Sequence, residues 1–152
     1  MLIDKSAASG YGRCGLMKLD MTMIKSIAAS MVTLSYALAI FYLSFVSAGT
    51  LGEIYKRAGI RGVRLLHVLS FVLLAFLIRF MFSTRLYKSC IQNPRLWSVY
   101  TAVFISGVLE FLQVFMPTRH ARVRDLLLHA AGIFIFFVVD RSIDIYGKNA
   151  AK

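Results

Sequence analysis

Residues Leu96–Met116 read LWSVYTAVFISGVLEFLQVFM, 21 residues with a single charged side chain among them. At about 1.5 Å of rise per helical residue, such a stretch spans the roughly 30 Å hydrocarbon core of a bilayer. Trp97 and Tyr100 stand at its start, where amphipathic rings favour the membrane–water interface, and Glu110 and Gln113 fall within its last two turns. Three further apolar runs flank it. Ile27–Val46 has 20 uncharged residues, and Leu65–Phe82 has 18 with Arg79 near one end, from where a long side chain can snorkel to the head groups. Leu126–Val139 has only 14, so a complete crossing has to start near Arg122 and finish near Ile145, with Asp125 and Asp140 at its ends. The pattern predicts an all-α integral membrane bundle of four transmembrane helices, at about 27–46, 65–82, 96–116 and 122–145.

Composition agrees. Apolar residues make up 59% of the 152 and charged residues 16%, where a soluble domain has about a quarter charged. The mean hydropathy is +0.70. A net charge of +11 raises the question of nucleic acid, which needs clustered cations. Here the cations sit in blocks between apolar runs, the arrangement that anionic lipid head groups and the positive-inside rule produce, so membrane lipids and not nucleic acid are the expected partners.

Residues 1–26 are read as a flexible basic arm, residues 27–146 as the membrane domain and residues 147–152 as a tail. Internal methionines at 17, 21 and 23 leave the translated start open. Lys25 before the first run and Val46-Ser47-Ala48 after it mimic a cleavable signal, but the run exceeds the roughly 7–15 residues of an apolar signal core, which favours an uncleaved anchor. Lys and Arg number ten on the face holding both termini and residues 83–95, against seven on the face holding residues 47–64 and 117–124. That places both termini in the cytoplasm. Cys14 and Cys90 are far apart, lack metal-ligand spacing and read as thiols.

The chemistry concentrates in the last two helices. A carboxylate within an apolar helix costs roughly 2.5–3.5 kcal/mol or more unless it is paired or faces a polar cavity, which singles out Glu110. Gln113 and Pro117 lie three and seven residues on, along one helical face, and Pro117 ends the helix. A basic connector with Arg119, His120, Arg122 and Arg124 follows, and makes the last two helices an antiparallel hairpin. Asp125 complements the positive end of the next helix; His129 and Gly132 follow on one face, Gly132 leaving room for a neighbouring helix. Glu110 and His129 stand at comparable distances from the turn, so the spacing brings them within reach. Two readings remain open: an ion-paired lock on the hairpin, or a polar pocket in which Arg119 and Arg122 grip an anionic head group. Glu110, His120, Asp125 and His129 supply zinc-type donors without metal-site spacing, so neither metal nor cofactor is expected. His67, near the start of the second helix, reads alone as an interfacial or packing histidine.

The stretch Glu110-Phe111-Leu112-Gln113-Val114-Phe115-Met116-Pro117-Thr118-Arg119, followed by Asp125-Leu126-Leu127-Leu128-His129-Ala130-Ala131-Gly132, resembles the signature of VanZ-like membrane proteins: Glu-x-x-Gln-x-x-x-Pro-x-Arg, then Asp-x-x-x-Asn-x-x-Gly. Arg64 and His67 resemble the family's Lys-x-x-His at the start of an earlier helix. Two positions depart: Val63 stands where the family usually has Asp, and His129 where it usually has Asn, which keeps a hydrogen-bonding group but makes it titratable. The resemblance implies a helical bundle in the inner membrane and an association with resistance to teicoplanin-type glycopeptides. The expected function is therefore non-enzymatic: binding of an anionic lipid or lipid-linked cell-wall precursor by Glu110, Gln113, Arg119, Arg122, Asp125 and His129, supported by Arg64, His67, Pro117 and Gly132. The alternatives are a membrane-embedded enzyme acting on a lipid-linked substrate and a small transport or assembly subunit with Glu110 and Arg79 as relay groups.

Overall fold

The computed structural model describes residues 21–45, 52–88, 90–115 and 123–150, with backbone alone for 52–58, 60 and 61. The helices are α1 (Met21–Phe45), α2 (Gly52–Phe82), the single turn α3 (Arg85–Lys88), α4 (Pro94–Val114) and α5 (Val123–Ala150), and no strand occurs among the described residues. Four stretches are long and apolar enough to cross a membrane: Met21–Phe45, Gly62–Phe82, Pro94–Val114 and Val123–Ala150. The chain is a multi-pass membrane protein, an all-α bundle of four transmembrane helices.

Helix limits follow local chemistry. Gly59 breaks α2 with a φ of 64°, a conformation that costs a residue with a β-carbon far more than glycine. Pro94 occupies the first turn of α4, where its missing N–H is not needed. α1 starts at Met21, ahead of its apolar run, so residues 21–26 of the expected flexible arm are helical. At 28 residues α5 is about 42 Å long and exceeds the hydrocarbon core, its last turns carrying Asp144 and Lys148 beyond the apolar stretch.

Cross-helix pairs fix the topology. Tyr36 donates to the Ser70 carbonyl at 3.3 Å, Thr33 to the Leu77 carbonyl at 3.3 Å, and Ser30 meets Tyr87 at 3.2 Å, so α1 and α2 run antiparallel. Ser106 pairs with His129 and Arg95 with Asp140, which makes α4 and α5 antiparallel as the short connector requires. His67 with His129 and Arg79 with Asp140 make α2 and α5 parallel. α2 is the central helix and packs on α1, α4 and α5.

Packing uses small residues where backbones approach. α1 buries Ser26, Ala29 and Thr33, and α4 buries Ser98, Ala102 and Ser106, at helical spacings of three and four. Between them lies an apolar layer of Leu74, Ala75 and Ile78 from α2, Leu109 from α4, and Ile133 and Phe136 from α5. The outward faces are equally apolar: Phe104 is 70% exposed and Phe134 66%. Lipid is the solvent for such a surface, since contiguous exposed apolar area on this scale does not suit water.

Candidate functional site

Two polar clusters, each built on a buried α5 side chain, lie at opposite ends of the bundle, separated by the apolar layer. The first is built around His129 on α5, 4% exposed. Its Nδ1 lies 3.0 Å from the Ser106 hydroxyl of α4, and its Nε2 lies 3.4 Å from Nδ1 of His67 on α2. Phe71, one turn beyond His67, stacks on the imidazole with ring centroids 3.9 Å apart and fixes its plane. Three helices thus deliver one polar side chain each to a single line, Ser106–His129–His67.

The line forms because of Gly132, one turn further along α5. A β-carbon there would stand 2.4 Å from the Val68 carbonyl oxygen, so only glycine lets α5 approach α2 closely enough for the imidazoles to meet.

The residues singled out in the sequence distribute around this line. Glu110 is one turn beyond Ser106 on α4, half-buried, with its Oε1 sealed from solvent. Gln113 is buried three residues later. Asp125 lies one turn before His129 and is half-buried, and Arg64, one turn before His67, is exposed. Pro117, Arg119 and Arg122, with His120, lie outside the described residues. Both ring nitrogens of His129 face Ser106 and His67, groups that the hairpin spacing did not suggest as its partners. His67, which alone reads as a packing residue, is the half-buried member of an imidazole pair with His129. Ser106 was missed, although its place four residues before Glu110 puts it on the same face of α4. No three His, Cys, Asp or Glu side chains among the described residues are grouped to hold a metal ion.

The second cluster joins the far ends of the same three helices. Arg95 of α4 donates to the carboxylates of Asp140 and Asp144 on α5 and, at 3.4 Å, to the Asp140 main-chain carbonyl. Arg79 of α2 completes it, with its Nε 3.6 Å from Asp140. The snorkelling expected of Arg79 is replaced by an ion pair within the bundle, and Asp140, expected at the end of a span, is 9% exposed between two guanidiniums. Two Arg and two Asp make the cluster formally neutral, as a partly buried ionic group requires.

No curated protein and no solved structure matches the chain. A family model does, and it covers residues 16–143, which include α1 to α4, the Ser106–His129–His67 line, the motif residues and all of the ionic cluster but Asp144. On that match, which spans most of its length, the chain belongs to the VanZ/LLP1 family.

Proposed function

We propose that this VanZ-family protein binds an anionic lipid or lipid-linked cell-wall precursor at the end of the bundle where His67, Ser106 and His129 meet, and so alters how the cell envelope interacts with glycopeptide antibiotics. The carrying observation is that three helices converge polar side chains on one bundle end, and that the sequence ahead of His67 (residues 47–64) and ahead of His129 (residues 117–124) contains seven Lys and Arg. Cations at the interface attract a phosphate-bearing head group, while Glu110, Gln113 and the imidazole line provide hydrogen-bonding partners just below it. The charge bias favours cytoplasmic termini, and with the protein in the inner membrane this end would lie on the outer side, where lipid-linked precursors meet glycopeptides.

The test pairs a binding measurement with a phenotype. Detergent-purified protein titrated with short-chain phosphatidylglycerol should bind at least about tenfold more tightly than with phosphatidylcholine, and Arg64→Ala should reduce that preference. Deleting the gene should change glycopeptide sensitivity or envelope lipid composition. Equal binding of the two lipids, with neither phenotype altered, would overturn the proposal.

A second reading, an enzyme acting on a lipid-linked substrate, draws support from the Ser106 hydroxyl at 3.0 Å from an imidazole, the contact that activates a serine nucleophile. Ser106 is 2% exposed, so substrate would need the helices to part. Turnover by purified protein that disappears in Ser106→Ala and Glu110→Gln would favour this reading. A relay between Glu110 and Arg79 has to cross the layer formed by Leu74, Ile78, Leu109 and Phe136.

A further inference from the structure

We propose that the His67–His129 pair is a proton-operated latch that holds the head-group end of α2 against α5 and releases it when both imidazoles become charged; this rests on the binding site proposed above and adds its regulation. A hydrogen bond between two ring nitrogens needs one of them protonated and the other bare. With both rings neutral, Ser106 donates to Nδ1 of His129, whose Nε2–H donates to Nδ1 of His67. With one added proton the chain runs the other way: His67 Nδ1–H donates to His129 Nε2, and His129 Nδ1–H donates to the Ser106 oxygen. A second proton leaves two N–H groups facing each other across a gap now 3.4 Å wide, joined to two like charges. No arrangement of donors rescues that contact, so it opens.

The packing directs where it opens. Gly132 against the Val68 carbonyl and Phe76 edge-on to Phe136, with centroids 4.8 Å apart, hold α2 and α5 together from just inside the pair towards the bundle centre. Separation therefore falls on the turns before His67 and His129, which carry Arg64 on α2 and Asp125 on α5, while Glu110 lies one turn beyond Ser106 on α4. These are the residues assigned to head-group binding, so a proton that unlatches the pair exposes the binding end and adds positive charge to it. The family resemblance supplies a natural control, because Asn at position 129 keeps a hydrogen-bonding side chain and removes the second titrating ring.

The latch and the binding site are tested separately. Thermal unfolding of the full chain in detergent is followed from about pH 8 to about pH 4, the interval in which imidazoles titrate. The unfolded chain accepts protons on both rings and the latched pair accepts only one, so stability falls as pH falls. The parent's midpoint is expected to drop by at least about 5 °C more than that of His129→Asn, with His67→Asn falling between the two because the buried His129 ring remains. Glu110→Gln and Asp125→Asn should retain the parent's extra drop, which separates imidazole from carboxylate titration. Parallel profiles for parent and both histidine variants, or loss of the extra drop in the carboxylate variants, would overturn the latch. Phosphatidylglycerol titrations of the same proteins read the site: a working latch gives binding that strengthens at least about threefold on acidification in the parent and not in His129→Asn. A pH-dependent midpoint without lipid preference would reject the site and keep the latch.

Discussion

Gly132 and Val68 touch through backbone: a β-carbon at 132 would stand 2.4 Å from the Val68 carbonyl oxygen, with the Phe71 β-carbon only 3.2 Å away. Neither obstacle is the flexible end of a side chain. Gly132→Ala must therefore push α2 and α5 apart, at a cost of about 1–3 kcal/mol for overpacking. Gly107, which has nothing within 4 Å of its would-be β-carbon, is the matched control. Gly107→Ala should leave stability unchanged or raise it by up to about 1 kcal/mol, because alanine favours helix over glycine. Reversible unfolding in detergent for both variants checks the contrast; equal effects would refute it.

Two buried serines on one face of α4 should respond differently to alanine. Ser106 faces His129 Nδ1 across 3.0 Å, so its removal leaves a buried ring nitrogen unsatisfied, at about 1–3 kcal/mol. Ser98, fully buried, donates to the Arg95 carbonyl three residues earlier on its own helix. Ser98→Ala removes a local bond from a carbonyl that retains its place in the helix and should cost less than about 0.5 kcal/mol. Ranking the two thermal midpoints tests which serine belongs to a cross-helix network.

The four crossings were legible because lipid demands about 20 apolar residues in succession, and α1, α2 and α4 meet that demand in their sequence alone. The fourth needed extension beyond its 14-residue run, and the helix indeed spans Val123–Ala150. Which face of each helix turns inward was not legible. Ile133 is 4% exposed and the adjacent Phe134 66%, yet both are apolar, since lipid and core impose the same preference. Small residues carry the missing signal, as Ser98, Ala102 and Ser106 on α4 and Gly132 on α5 illustrate. The polar motif around Glu110 could be located from its spacing, but the partners of His129 could not: His67 lies 62 residues away and is placed by packing alone. Asp140 likewise looked like the end of a span, because its partner Arg95 is 45 residues earlier in the chain.

The ionic cluster should show a steep ranking among its carboxylates. Asp140 is 9% exposed and lies between Arg95 and Arg79, so Asp140→Ala takes from Arg79 the carboxylate it faces and leaves Arg95 with Asp144, at about 2 kcal/mol or more. The Asp144 side chain is 46% exposed and pairs with Arg95. Asp144→Ala should cost no more than about 1 kcal/mol, the range of exposed ion pairs. Arg95→Lys should resemble the Asp140 variant rather than the parent, because a lysine has one charged nitrogen where the guanidinium reaches both carboxylates. Unfolding midpoints at low and high salt check this, with the Asp140 difference the less sensitive to salt.

The ends of the bundle can be assigned to the two sides of the membrane by labelling. Position 64 lies at the histidine end, exposed and one turn before His67, while position 141 lies at the ionic end next to Asp140 and is also exposed. Because α2 and α5 run parallel, residues early in both helices share one side and residues late in both share the other. With Cys14 and Cys90 replaced by serine, Arg64→Cys should react in intact cells with a membrane-impermeant maleimide, and Arg141→Cys only after the cells are opened. The ten-to-seven distribution of Lys and Arg favours this orientation by a small margin, so the labelling carries more weight than the count. The reverse pattern would place the Ser106–His129–His67 line on the cytoplasmic side, where a glycopeptide outside the cell could not meet a ligand held there.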